Sequence, residues 1–236
     1  MSNIDSVILQ LNNISDSLAV DSPIVSTKST VKFKPLSVTQ QKQLIKNATG
    51  LALDTIKISN IINKIIIDNA ENSTQFNVID KEGILLSMKV QSVQSGDEQQ
   101  NMNKVLQQLQ TLDVEASLNK TIEQHGIELQ LLSPSLQRDS AINSEFIEQF
   151  KDKQLTNTDI ISQYYVYDII KYIYQFKLGK ETVSFAETSN AKDYAAIVHH
   201  LPASLVGLVA DFAAESKQMI NKVFQEHNVP LQSAAF

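Results

Sequence analysis

DSAINSEFIEQFKDKQLTNTDIISQYYVYDIIKYIYQFKL, residues 139–178, is the stretch that decides the fold class. In its first part, apolar side chains recur at helical spacing, at Ile142, Phe146, Ile147 and Phe150. A second helix is predicted to begin near Thr156–Asp159 and to continue to Leu178, carrying apolar residues and tyrosines along its length. Two such helices in succession predict a helical region that begins at Asp139.

The remainder of the C-terminal half continues the helical pattern with one interruption. A short strand is predicted at Thr182–Phe185. The last helix is predicted after Leu201, with Pro202 near its first position, where a missing N–H costs no hydrogen bond. The apolar spacing carries this helix to about His227.

The N-terminal half mixes helix and strand signals. Helices are predicted at residues 3–19, 37–48, 52–69 and 98–112, with Ser37 and Gln40 at the spacing of a capping box. Strands are predicted at residues 30–35 and 76–93, together with a hairpin at 115–132 that turns at His125-Gly126. The predicted class is therefore α+β and mainly helical.

Three regions follow from this pattern. Residues 1–29 are predicted to form an N-terminal amphipathic helix and a linker, and residues 30–133 a mixed α+β domain. Residues 134–236 are predicted to form a helical domain, with the boundary at Ser133–Ser135.

The composition disfavours several classes of partner. The net charge is −6, and Arg138 is the single arginine among 20 basic residues, so we expect no nucleic-acid partner. No run approaches the ~20 apolar residues that cross a bilayer, so we expect no membrane span. The absence of cysteine excludes disulfides, thiolate zinc sites and thiol catalysis.

The sequence shows no motif for chemistry. Its six glycines do not stand at the spacing of a phosphate-binding or dinucleotide-binding loop. His199 and His200 are adjacent, so on a helix their rings diverge and solvation at a helix end is the favoured interpretation. We therefore predict no catalytic residue, no cofactor and no metal site. An enzyme with an unrecognised site, for instance a cell-wall hydrolase, is the alternative.

Exposed apolar and tyrosine side chains are the candidate interface. The N-terminal helix, the tyrosine-rich helix and the C-terminal tail at residues 229–236 are predicted to contact other proteins. An alternative for the tyrosines is a helix buried between two layers. The candidate interface residues are Ile4, Val7, Ile8, Leu11, Tyr164, Tyr165, Tyr167, Tyr172 and Phe236.

Three segments, taken in order, resemble a known family. They are VKFKPLSVTQQKQLI at residues 31–45, LTNTDI at 155–160 with LGKE at 178–181 closing that helix, and LPASLV at 201–206. In this order they resemble the baseplate hub proteins of T-even-type contractile-tailed bacteriophages. The sequence departs from the family at 39–42, where an acidic run is usual, and at 173–177, where a basic, arginine-containing helix end is usual.

The resemblance implies a structural role in the phage tail without chemistry. It implies a chain located in the virion, and in the host cytoplasm during assembly, that binds other tail and baseplate proteins in a hetero-oligomeric assembly. The first segment alone also resembles phage tail assembly chaperones, so a chaperone that is not retained in the virion is the alternative function.

Overall fold

The structure, a computed structural model, describes residues 3–47, 51–72, 75–90 and 96–233. Within these ranges it is α+β and mainly helical, which confirms the predicted class. The helices are α1 (Asn3–Ser17), α2 (Val38–Asn47), α3 (Ala52–Asn69), α4 (Lys81–Val90), α5 (Asp97–Thr111), α6 (Leu136–Phe150), α7 (Asn157–Tyr172), α8 (Ala191–His199) and α9 (Ala203–Glu226). The strands are β1 (Val20–Ile24), β2 (Ser29–Phe33), β3 (Asn119–Gln124), β4 (Ile127–Leu132), β5 (Ile173–Leu178) and β6 (Glu181–Ser184).

Both sheets are antiparallel. Strands β1 and β2 form one hairpin, and the second sheet has the order β3-β4-β5-β6. The predicted hairpin at His125-Gly126 is confirmed, and both turn residues have positive φ, 56° and 74°. Two successive positive φ values match the tight turn whose twist suits a two-residue hairpin, and Gly126 adopts this conformation without strain.

The larger sheet draws strands from both sides of the boundary predicted at Ser133–Ser135. Strands β3 and β4 precede that position, and β5 and β6 follow it. Leu129 of β4 pairs with Phe176 of β5 in the middle of this sheet. The sheet therefore extends across the predicted boundary. Residues 30–133 also share a core with residues that follow them.

The prediction of strands at residues 76–93 is wrong. The segment forms a 3₁₀ turn at Val78–Asp80 followed by α4, with residues 91–93 outside the described part of the chain. Residues 83–88 of α4 are all buried, so the helix is covered on every face over this stretch. A helix buried all round loses its 3.6-residue periodicity, and short apolar runs of this kind are ambiguous between helix and strand.

The predicted second helix of the C-terminal half ends six residues early. It stops at Tyr172, and residues 173–178 form β5. The guanidinium of Arg138 explains the end, since it donates hydrogen bonds to the carbonyl oxygens of Ile170 and Ile173 at 3.1 and 2.9 Å. It also reaches the carbonyls of Lys171 and Phe185, at 2.9 and 2.7 Å. A carbonyl oxygen that accepts a hydrogen bond from this guanidinium does not need the N–H group that another turn of helix would supply.

Two elements fall where none was predicted. Strand β1 occupies residues of the predicted linker 21–29, and its Pro23 is tolerated because β1 pairs with a strand on one side only. Helix α8 lies before the predicted last helix. The predicted strand at Thr182–Phe185 corresponds to β6, displaced by one residue.

The buried side chains form three clusters that share elements. One lies between the larger sheet and helices α6 to α9, and a second lies between the β1–β2 hairpin and α2 to α4. A third joins α4, α5 and the second half of α9. Helix α9 contributes Phe212 to the first cluster and Phe224 to the third, so this one helix is part of both clusters.

Replacing Arg138 should destabilise the protein. Arg138→Met removes the guanidinium hydrogen bonds to four carbonyl oxygens, and because water reaches this half-buried site we expect a loss of about 3 kcal/mol in the free energy of unfolding. Urea unfolding followed by circular dichroism measures it. Lys64→Met, which removes a solvent-exposed partner of Asp68, is the control and should leave the unfolding midpoint unchanged. Equal midpoints for both variants would remove Arg138 from this role.

Candidate functional site

A buried ion pair lies where the start of α6 meets the end of α7. Lys171 Nζ is 2.8 Å from Asp139 Oδ1. Both residues are almost inaccessible, with 3% and 6% of their surface exposed. Because an isolated buried charge is very costly, each of these two groups depends on the other for its place in the core.

Two further helices bring polar groups to Asp139. Asn63 of α3 donates a hydrogen bond to Asp139 Oδ2 at 2.7 Å. Lys81, the first residue of α4, has its Nζ 3.9 Å from the same oxygen and 3.2 Å from Ser59 Oγ. The carboxylate is therefore the point on which α3, α4, α6 and α7 converge.

The electrostatics of the cluster follow from burial and pairing. Burial by itself favours the neutral carboxyl, but the cations of Lys171 and Lys81 outweigh it and hold the pKa of Asp139 well below its ordinary value. Burial likewise opposes the charge of Lys171, yet the attraction of Asp139 leaves the pKa of that amine well above its ordinary value. Burial dominates at Lys81 and lowers its pKa despite the nearby carboxylate.

Tyr164 completes the cluster on its α7 side. Its hydroxyl lies 2.5 Å from Lys171 Nζ and 2.7 Å from Asn143 Oδ1, so it accepts from the amine and donates to the amide oxygen. Burial raises the pKa of this hydroxyl to about 12. The group therefore stays protonated at neutral pH and acts as a hydrogen-bond bridge.

A cavity of about 450 Å³ opens beside the cluster. Lys81 and Lys217 line it together with Glu82, while Ile56 and Ile220 form part of its apolar wall. Lys81 is the amine of the ion cluster best placed to meet a small polar molecule there. The role of the cluster is structural, since Asp139 links α6 to α3, α4 and α7.

The predicted interface role of the tyrosines is wrong for two of the four. Tyr167 and Tyr172 are both 3% exposed and belong to the core. The Tyr167 hydroxyl donates to Gln149, and the Tyr172 ring meets Phe212 edge to face at 6.2 Å. Helix α7 packs between α6 and α9, so burial between two layers is the interpretation that the structure supports.

The two remaining tyrosines differ from each other. Tyr164 is half-buried, and its hydroxyl is committed to the ion cluster. Tyr165 is 50% exposed on the solvent side of α7. Of the tyrosines predicted to form an interface, Tyr165 is therefore the one whose ring is available to a partner.

Helix α1 presents its apolar side chains to water. Every residue of α1 whose side chain is described is exposed, from Ile4 onwards. The large apolar members are Ile4, Val7, Ile8, Leu9, Leu11 and Ile14, and Leu18 follows directly after the helix. The predicted interface residues of this helix thus all lie on the surface of the protein.

The C-terminal segment folds back onto the body. The backbone N–H groups of Gln232 and Ser233 donate to the carboxylate of Glu82 at 2.6 and 3.1 Å. Val229 and Gln232 are buried, so the prediction of a free contact surface is wrong for these two residues. Phe236, the last candidate interface residue, lies outside the described residues.

His125 and His227 lie in different parts of the fold. His125 occupies the β3–β4 turn, and the His227 ring is hydrogen-bonded to Gln108 at 2.8 Å. Within residues 3–47, 51–72, 75–90 and 96–233, no three His, Asp or Glu side chains come together as a metal site would require. None of the helices described in these ranges is both long and apolar enough to span a bilayer.

Sequence reasoning missed the ion cluster, although two signals pointed to it. Arg138 is the single arginine of the chain and immediately precedes Asp139. Lys171 stands in an otherwise apolar run, between Ile170 and Tyr172. A lone lysine in such a run indicates a buried cation that needs a carboxylate, but the pattern does not say which carboxylate.

No protein-family model, no curated protein and no solved structure matches this chain. The resemblance to baseplate hub proteins therefore stays a prediction. Its three segments lie at residues 31–45 across β2 and α2, at the first turn of α7 and at the start of α9. Two of them contain a capping box that begins a helix, formed by Ser37 and Gln40 at α2 and by Thr156 and Asp159 at α7.

The ion pair predicts a defined dependence of stability on pH. Since the folded pKa of Asp139 lies below its unfolded value of about 3.9, the stability it contributes is fully present above that value. It is lost as the pH falls through the lowered folded pKa. At pH 7, Asp139→Asn should cost about 3 kcal/mol, because Lys171 loses its principal counter-charge in the core.

Urea unfolding of the native chain and of Asp139→Asn between pH 7 and pH 3 measures this effect. The difference in the free energy of unfolding between the native chain and Asp139→Asn should be constant near neutrality and should shrink below about pH 4. In that range Asp139 takes up a proton when the native chain is unfolded but not when it is folded. Adding Lys171→Met to Asp139→Asn should restore part of the stability, since it removes the orphaned cation. A difference that grows on acidification would contradict the assignment.

Proposed function

We propose that this chain is a structural component of a contractile phage tail baseplate, in its hub region, that acts through contacts with other tail proteins. It is carried in the virion and is present in the host cytoplasm during assembly. The proposal assigns it no reaction. Its support is the three-segment resemblance together with the surface that α1 presents.

The observation that carries the proposal is the exposure of α1. Ile4 is 70% exposed and Leu11 is 58% exposed, and the other large apolar residues of the helix are similarly open to water. A helix that packs on its own domain buries its apolar stripe, whereas this one leaves the stripe to solvent. Covering such side chains stabilises an assembly by on the order of 1 kcal/mol for each residue that is half-exposed beforehand.

The body of the protein supports the same role. The buried pair Asp139–Lys171 and the hydrogen bonds of Arg138 fasten the start of α6 to the end of α7. Removing either partner of such a pair is costly, so these helices hold one relative position. A subunit that bears contacts on several sides needs a body of this kind, and α1 supplies an extension from it.

An assembly chaperone that is not retained in the virion is the second candidate. The segment that alone resembles tail assembly chaperones, residues 31–45, carries Val38 and Ile45 on α2. These two side chains are 66% and 75% exposed, so α2 offers a further apolar surface to a partner. Mass spectrometry of purified particles distinguishes the two functions, because a chaperone is missing from the finished tail.

Removing α1 should separate folding from assembly. A chain that lacks residues 1–18 should keep the urea midpoint of the intact protein, because the described side chains of α1 take no part in the core. In particles of a phage that encodes this chain, the intact protein should be present in constant copy number. The truncated protein should be incorporated at least about tenfold less, as expected when about 1.4 kcal/mol or more of contact is lost.

A matched variant controls for the truncation. Replacing Ser6 and Gln10 by alanine keeps the length of α1 and its apolar residues, so incorporation should stay at the level of the native chain. Absence of the intact protein from purified particles would contradict the proposed function. Unfolding of the truncated chain would instead place α1 in the core.

A further inference from the structure

The apolar residues of α1 follow a repeat more regular than a core-facing helix requires. Ile4, Val7, Leu11, Ile14 and Leu18 follow one another at alternating intervals of three and four residues. This is the a–d spacing of a coiled coil, whose period of 3.5 residues keeps one line of side chains facing a partner helix. We call these five residues the α1 seam.

The seam lies in water along its whole length. All five members are between 48% and 70% exposed, including Leu18 just beyond the helix. Leu9 is equally exposed, at 51%, but it falls at the f position of the same repeat, on the opposite side of the helix. Exposure alone therefore does not distinguish the seam residues from Leu9. Their alternating spacing of three and four residues does.

The positions beside the seam carry no charge. In a coiled coil, the e and g residues flank the seam and select the partner through attraction or repulsion. Here positions 8, 10, 15 and 17 are Ile, Gln, Ser and Ser, and the acidic residues of the helix stand at positions 5 and 16, which are b and f. Two copies of α1 can thus lie side by side without like charges meeting at the flanks.

We propose that the α1 seam binds the α1 helices of other copies of this chain and forms a short intermolecular coiled coil. A partner helix with charged flanks would find no counter-charge here, while a second α1 matches the uncharged flanks and the apolar seam at once. The inference rests on the proposed function in one respect, that α1 is covered in the assembled tail. It adds that the helix covering the α1 seam is the α1 of another copy of this chain.

The length of the seam sets the strength of the contact. The seam covers residues 4–18, just over two heptads, and coiled coils that are stable in isolation usually need three to four. Self-association of the free chain is therefore weak, in the range from micromolar to millimolar. In an assembly the bodies hold neighbouring helices close together, and the resulting effective concentration makes the same contact persistent.

Paired substitutions on the two sides of α1 test the seam. Leu11→Glu places a carboxylate in the seam, and Leu9→Glu makes the same change, from a side chain of similar exposure, outside it. In sedimentation velocity from micromolar to millimolar concentration, the native chain and Leu9→Glu should associate. The Leu11→Glu variant should associate at least about tenfold more weakly.

Cysteine cross-linking locates the contact, since the native chain has no cysteine to interfere. Under mild oxidation, Val7→Cys should form a disulfide with itself if the helices run parallel and in register. If they run antiparallel, a positions lie opposite d positions, and a mixture of Val7→Cys and Leu11→Cys should form the mixed disulfide. Ser6→Cys, at the outer c position, is the control and should remain unlinked, because disulfides need Cα atoms within about 7 Å.

The outcomes separate this inference from the proposed function. A chain that stays monomeric to millimolar concentration, with neither seam cysteine cross-linked, overturns the inference. If the protein is present in purified particles but its α1 is covered by a different protein, the inference of self-association is overturned and the proposed function is kept. Self-association through the seam by a chain that is missing from particles supports the inference and contradicts the proposed function.

Discussion

The buried ion pair between Asp139 and Lys171 is the interaction on which the body depends. A carboxylate and an amine that are almost closed to solvent are stable only if each has the other. Arg138, the neighbour of Asp139, holds the backbone carbonyls around Lys171. The first turn of α6 thereby holds the end of α7, where β5 begins.

Helix α1 is the opposite case in the same chain. Its apolar residues are as numerous as those of a buried helix, yet the body leaves them exposed. A closed body that leaves an apolar helix uncovered suits a subunit whose remaining contacts come from neighbours. The proposed place in a tail baseplate and the proposed self-association of α1 both follow from this division between a closed core and an open helix.

Much of the fold could be predicted from the sequence where local signals are strong. The bounds of α3, the His125-Gly126 turn and the capping boxes before α2 and α7 depend on neighbouring residues alone. Helix α4 was mistaken for a strand because it is buried on every side, which removes the periodicity that identifies a helix. The end of α7 was missed because the cause, Arg138, lies 34 residues before Tyr172 in the chain.

The candidate site was predictable only in part, for a similar reason. A helix whose apolar residues stay exposed can be found from its own spacing, and Ile4, Val7, Ile8 and Leu11 lie on the surface as expected. Tyr167 and Tyr172 have the same character in sequence but face α6 and α9, which only the tertiary structure reveals. The partners of Lys171 come from other elements as well as from its own helix, so no local pattern identifies them.

Hydrogen exchange of the backbone amides, measured on the dilute chain and again on the assembled tail, tests the account most directly. In the dilute chain, the amides of α6 and α7 should be strongly protected, and those of α1 should exchange orders of magnitude faster, because the described side chains of that helix are exposed to solvent. In the assembled tail, α1 should become protected to a level comparable with the body. Strong protection of α1 in the dilute monomer, or none in the assembled tail, would contradict the account.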